Sequence, residues 1–145
     1  MFLGQYKYTT DSKGRLTIPV RFRAALASGA FVTQGFDRNL MVYTADSFDK
    51  LAKKAAALSS TDPGARAVKR VLFGRATEVS LDSSGRVLLP DFLRDYAGID
   101  GEAFIVGAGE YFEIWRAESW ATTEESVVDS EANAKRFAEY DLSTG

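Results

Sequence analysis

The sequence contains no cysteine and no histidine. Without cysteine there can be no disulfide and no thiolate metal site. Without histidine the chain lacks the commonest general base, the commonest metal ligand and every Ser–His or Cys–His nucleophile. Catalysis would have to rest on carboxylate, lysine, tyrosine or a serine–lysine pair, so a protein that is not an enzyme and uses no cofactor or metal is expected. Long apolar runs are missing too. Stretches such as Ala103-Phe104-Ile105-Val106 fall far short of the roughly 20 residues a membrane helix needs. The opening residues Met1-Phe2-Leu3-Gly4-Gln5 show neither the basic segment nor the apolar stretch of a secretory leader. The expected compartment is the cytoplasm. No Gly-Lys-Ser/Thr phosphate loop occurs, and Gly107-Ala108-Gly109 lacks the final glycine of a dinucleotide loop and reads as a hairpin turn.

What is present is a foldable chain of 145 residues, 46% hydrophobic and 26% charged, too apolar for disorder. Its net charge of −2 conceals a division. Residues 1–72 hold 12 Lys and Arg against 5 Asp and Glu, a net of +7. Residues 73–145 hold 6 against 15, a net of −9. A basic half in an overall acidic chain points to contact with nucleic acid or another anionic surface.

An internal repeat organises the chain. Asp11-Ser12-Lys13-Gly14-Arg15 returns 71 positions later as Asp82-Ser83-Ser84-Gly85-Arg86, and Pro19, Phe22 and Arg23 return as Pro90, Leu93 and Arg94. Each copy reads as strand, turn, strand, helix and hairpin. Asp11 and Asp82 can bond backbone amides ahead of them, and Gly14 and Gly85 tolerate positive φ. Pro19 and Pro90 suit the first turn of a helix. Phe92, Leu93 and Tyr96 form one apolar helix face closed by Gly98, matched in the first copy by Phe22, Leu26 and Gly29. Between the copies, Asp46 or Ser47 caps a helix to about Leu58, with Phe48, Leu51, Ala52, Ala55 and Leu58 as its buried stripe. Ser59 to Gly64 reads as a loop and Ala65 to Leu72 as a short helix. Residues 117–121 and 131–140 read as acidic helices.

The expected class is α+β and β-rich. Residues 1–58 form the first repeat with its following helix, 59–72 a linker with a short helix, 73–116 the second repeat, and 117–145 the C-terminal helices with a frayed tail. The aromatics Phe31, Phe36, Tyr43, Phe104, Phe112 and Trp115 fall on expected strands and are assigned to the core. Glu118, Glu124, Glu125, Asp129 and Glu131 read as a solvated helix face.

Five cations, Lys7, Lys13, Arg15, Arg21 and Arg23, crowd the first repeat. Such residues neutralise phosphates and release counterions. An arginine on a two-stranded β element can also grip guanine O6 and N7 in the major groove. Asp11 is placed to pair with Arg15 across the turn, a structural role that also aims the guanidinium. The second copy keeps Arg86 but has Ser84 in place of Lys13, and it carries Asp91 beside the position that matches Arg21. It is therefore expected to bind DNA more weakly than the first, or to serve as scaffold.

Met1-Phe2-Leu3-Gly4, the two D-x-x-G-R motifs with their prolines, and Phe112-Glu113-Ile114-Trp115 closely resemble the MraZ family of bacterial transcriptional regulators over roughly residues 1–140. Thr10 departs from the apolar residue the family often has there, which Leu81 keeps. The resemblance implies two tandem AbrB-like, swapped-hairpin β/α repeats packed as a pseudo-two-fold unit. It also implies a ring-shaped homo-oligomer at the nucleoid that binds G-rich direct repeats in double-stranded DNA, upstream of the division and cell-wall gene cluster including its own gene. By position the DNA contacts are Lys13 and Arg15, with Arg86 a weaker counterpart; Lys7, Arg21 and Arg23 come from charge. Head-to-tail closure fits the division of charge, with Arg66, Lys69 and Arg70 assigned to subunit contacts. No membrane or small-molecule substrate is implied. Two alternatives stay open: an antitoxin-like module whose acidic C-terminal helices bind a partner protein, and a carboxylate- or lysine-dependent hydrolase.

Overall fold

The two D-x-x-G-R segments fold into the same turn. In the computed structural model, which describes residues 1–145, Asp11 Oδ1 accepts from the amides of Lys13 (3.0 Å) and Arg15 (2.8 Å). Asp82 Oδ1 does the same for Ser84 and Arg86, both at 2.9 Å. Each turn then needs a left-handed residue, and Gly14 (φ 85°) and Gly85 (φ 74°) supply it without a Cβ clash.

The strands on either side of each turn do not pair with each other. Strand β1 (Gln5–Thr9) pairs antiparallel with β7 (Glu102–Gly107) of the second repeat. Strand β2 (Arg15–Thr17) pairs with β6 (Arg86–Leu88), also of the second repeat. Strand β5 (Thr77–Val79) crosses the other way, onto β3 (Ala30–Gln34). With β4 (Leu40–Thr44) and β8 (Tyr111–Arg116) these make a six-stranded sheet, β1-β7-β8-β4-β3-β5, and a separate two-stranded ribbon, β2-β6. Both orders are symmetric between repeats, with pseudo-two-fold centres at β8/β4 and at β2/β6. The fold is α+β, and the repeats are interleaved rather than set side by side.

Side-chain alternation assigns the faces. Tyr6 and Tyr8 of β1, Val32, Val42, Ala103, Ile105, Phe112 and Ile114 turn toward the ribbon and join one apolar core with Leu16, Ile18, Val87 and Leu89. Short helices follow the ribbon strands and close this layer: α1 (Val20–Arg23) with a 3-10 turn through Leu26, and α4 (Asp91–Ala97). Pro19 and Pro90 stand at the N-cap, one residue before the first helical position, where their carbonyls accept from Phe22 (2.9 Å) and Leu93 (3.1 Å). The helix α4 closes at Gly98, as read from the sequence.

The opposite sheet face is covered by α2 (Ala45–Ala56), α3 (Pro63–Leu72) and α5 (Ala117–Val127). Phe48 of α2 stacks on Phe31 at 4.6 Å, and Trp120 of α5 packs against Trp115 at 5.4 Å. A last helix, α6 (Ser130–Phe137), buries no residue. No helix is long and apolar enough to cross a membrane.

Several local expectations are corrected. The cap of α2 is Thr44, not Asp46 or Ser47: its backbone is still extended, and its Oγ1 accepts from the Ser47 amide at 3.0 Å. Because α2 ends at Ala56, Leu58 leaves the buried stripe and is exposed. Pro63 and Gly64 belong to α3, which Asp62 caps, rather than to the preceding loop. Phe36 is not core. Strand β3 ends at Gln34, and Phe36 sits in the following loop with 71% of its surface exposed.

Candidate nucleic-acid interface

The β2-β6 ribbon has one buried and one open face. Leu16 and Val87 pair at its centre and point into the core. The alternation turns Arg15, Thr17, Arg86 and Leu88 to the other side, with Arg15 across from Leu88 and Thr17 across from Arg86. The two turn arginines, 71 residues apart in sequence, therefore lie on one face of one ribbon. Leu88 is 55% exposed there, an apolar side chain set between two guanidinium groups. Sequence reasoning missed Leu88, since strand alternation alone does not say which neighbour covers it.

Asp11 holds both arginines. Its Oδ2 lies 2.5 Å from Arg15 Nε and 3.7 Å from Arg86 Nη1. Asp82 Oδ2 takes the Arg86 Nε at 3.0 Å. The Nε of each arginine is thus held by the aspartate of its own turn, while the Nη groups of Arg15 have no protein partner. A carboxylate on Nε fixes the plane of the guanidinium and leaves its outer fork open.

The hydrogen bond from the Arg15 backbone amide, aided by the Arg15 side chain and the Lys13 amide, lowers the Asp11 pKa from 3.8 to about 2 against partial desolvation. Asp82 is lowered in the same way, chiefly by the Arg86 amide. A carboxylate depressed in the folded state stabilises it above the unfolded pKa, and that contribution disappears as pH falls through the folded value. Carboxyl NMR titration should therefore show Asp11 protonating near pH 2, with the turn loosening between about pH 4 and pH 2. Titration of Asp11 at the ordinary 3.8 would contradict the bonded turn.

The other cations separate. Lys13 is exposed at the tip of the first turn, and its counterpart Ser84 is exposed at the second. Arg21 is exposed on α1 beside the ribbon, with no acidic partner. Arg23 is partly buried, with its Nε donating to Ile18 O at 2.9 Å. Lys7 does not join the group. Tyr6 and Tyr8 face the core, so Lys7 points to the far side of the sheet, where its Nζ sits 2.8 Å from Glu102. Of the cations assigned to subunit contacts, Arg66 and Lys69 bond the carbonyls of Ser60 (3.0 Å) and Leu58 (3.2 Å), which ties down the loop between α2 and α3.

Comparison with known proteins places this architecture. The family model described as "MraZ protein, putative antitoxin-like" matches twice, over residues 1–71 and 72–141. A "Transcriptional regulator MraZ" of Thermomicrobium roseum is 49% identical over 139 residues, covering 95% of this chain and 98% of the relative. Its namesake from Herpetosiphon aurantiacus is 46% identical over 129 residues, covering 89% and 90%. That of Desulfitobacterium hafniense strain DCB-2 is 45% identical over 134 residues, covering 92% and 94%. With both repeats matched and relatives of this identity along nearly its full length, the chain belongs to the MraZ family.

Proposed function

We propose that this chain is a transcriptional regulator that reads double-stranded DNA with the β2-β6 ribbon. The observation that carries the reading is the open ribbon face, where Arg15 and Arg86 stand together with the Nη fork of Arg15 free of protein partners. A two-stranded ribbon fits the major groove, and a guanidinium held by its Nε presents the donors that match guanine O6 and N7. Lys13 and Arg21 flank the ribbon and serve phosphates. Lys7 and Arg23, held by Glu102 and Ile18 O, have structural roles. The printed names of the relatives, transcriptional regulators, support the same reading.

One ribbon spans only a few base pairs. Affinity comes from several subunits of a ring engaging spaced G-rich repeats upstream of the gene, each at high effective concentration for the next. A second reading, a partner-binding module, is favoured by one feature: α6 buries nothing, although with Glu131 against Lys135 and Arg136 it is not the acidic helix expected from the sequence. Copurification of a stoichiometric partner that binds through residues 130–145 would support it.

The test is a titration of the wild-type protein against its own upstream fragment and an unrelated fragment of equal length, at several salt concentrations. A preference for the upstream fragment is expected, with affinity falling steeply with salt. Equal affinity for both fragments would overturn the reading. In the same assay Lys13→Ala should reduce the salt slope by about 0.9 per engaged subunit, the share of one phosphate contact. Lys7→Ala should leave the slope unchanged.

A further inference from the structure

Gly14 and Gly85 are buried, although both lie in turns that reach the protein surface. What covers each is an arginine from the other repeat. A Cβ built on Gly14 would fall 2.4 Å from Arg94 Cζ, and one on Gly85 would fall 2.3 Å from Arg23 Cζ. The guanidinium groups occupy the space that any larger residue would need.

Two further bonds close each contact into a ring. The carbonyl of Gly14 accepts from the Leu89 amide at 3.1 Å. The carbonyl of Leu89 accepts in turn from Arg94 Nε at 3.0 Å, and the same guanidinium lies over Gly14. In the mirror arrangement Gly85 O accepts from the Ile18 amide at 2.9 Å, Ile18 O accepts from Arg23 Nε at 2.9 Å, and Arg23 lies over Gly85.

We infer that Arg94 and Arg23 are positioning residues for DNA reading, each holding the recognition turn of the opposite repeat. This rests on the ribbon being the DNA reader. Lys13 and Arg15 are the immediate neighbours of Gly14, so any rocking of the turn about that glycine moves both. A recognition side chain must be held within about 0.5 Å to be selective. The first-repeat turn therefore reads DNA in a geometry set by a second-repeat arginine. Lysine cannot replace it, because a single ammonium cannot hold the Leu89 carbonyl and also cover the glycine with a flat fork.

The two clasps are not equal. Arg94 is also paired with Asp91, whereas the position matching Asp91 in the first repeat is Val20. The firmer clasp thus sits over the turn that carries Lys13 and Arg15. The second repeat, poorer in exposed cations, keeps its arginine to orient those of the first.

The test combines amide hydrogen exchange with DNA titration on full-length Arg94→Ala, Arg94→Lys and Arg23→Ala, all at a temperature where circular dichroism shows them folded. In Arg94→Ala the amides of Gly14, Arg15 and Leu89 should exchange about tenfold faster or more, with Gly85, Arg86 and Ile18 unchanged. Arg23→Ala should give the reverse pattern. Preference for the upstream over the unrelated fragment should drop about tenfold in Arg94→Ala, with the salt slope unchanged, and less in Arg23→Ala. Arg94→Lys should not restore it.

Faster exchange throughout the protein would make the arginine a general stabiliser and overturn the inference. So would a slope reduced by about 0.9 with turn exchange unchanged, the mark of a phosphate contact. Local loosening with an unchanged fragment preference would also overturn it. If the wild type prefers neither fragment, the DNA reading fails and the positioning role fails with it. The reciprocal exchange pattern still decides whether the clasp exists.

Discussion

Arg15→Ala is expected to reduce affinity for the upstream fragment by roughly 10- to 100-fold per engaged subunit, the value of one bidentate arginine–guanine contact. Affinity for unrelated DNA should change little, because phosphate contacts supply most of that affinity. The reason lies in the turn. Asp11 holds Arg15 by its Nε at 2.5 Å, so the guanidinium is oriented before DNA arrives and loses little freedom on binding. Arg15→Lys should be nearly as damaging as alanine, since a lysine offers a point charge and not a fork. Equal losses on both fragments would reduce Arg15 to a phosphate contact. An unchanged affinity would return it to a purely structural pairing with Asp11.

The largest effect on stability is expected from Phe112→Ala, a loss of about 3–5 kcal/mol in urea unfolding. Phe112 has no exposed surface. Its ring meets Phe2 at 5.1 Å and Phe22 at 5.2 Å, and Phe22 also meets Tyr6 at 5.4 Å. Phe112 comes from the second repeat and the other three from the first, so the cluster is where the interleaved repeats are locked together. Removing the ring leaves a cavity that backbones on both sides are too constrained to fill. A cost under about 1 kcal/mol would mean that the two repeats are held by their strand ladders alone.

The parts of this molecule that were legible in its sequence are those governed by near neighbours. The Asp–Gly turns, the prolines ahead of the short helices and Gly98 at the end of α4 each follow from one side chain or one φ angle. Strand partners were not legible from the residues, because alternation reads the same whichever strand lies alongside. Nothing in Arg15-Leu16-Thr17 names Arg86-Val87-Leu88 as its mate; the resemblance to a swapped-hairpin family implied two repeats packed together but named no strand pair. Lys7 shows the opposite case. It lies close in sequence to the ribbon cations, yet Tyr6 and Tyr8 on either side face the core and turn it to the far side of the sheet.

Phe36 and the cap of α2, expected at Asp46 or Ser47 and found at Thr44, depart from the sequence reading for related reasons. The loop at Phe36 exists because Asn39 folds back, its carbonyl accepting from the Gly35 amide at 2.8 Å and its Oδ1 from the Asp37 amide at 3.3 Å. A run of strand-like residues does not reveal that. Thr44 ends one strand and caps the next helix, and the two roles overlap in a single residue. The recurrence of Arg23 as Arg94 is visible in the sequence, whereas the opposite turn packed beneath each guanidinium is not.

Whether the reader is a ribbon built from both repeats is tested most directly by Arg86→Ala. The variant is compared with wild type for its preference between the upstream and unrelated fragments, with its fold checked by circular dichroism. A loss of preference of about tenfold or more is expected, approaching that of Arg15→Ala, because Arg86 stands on the same open face. Unchanged preference in a folded Arg86→Ala protein would show that the first repeat reads alone, and would contradict the composite ribbon.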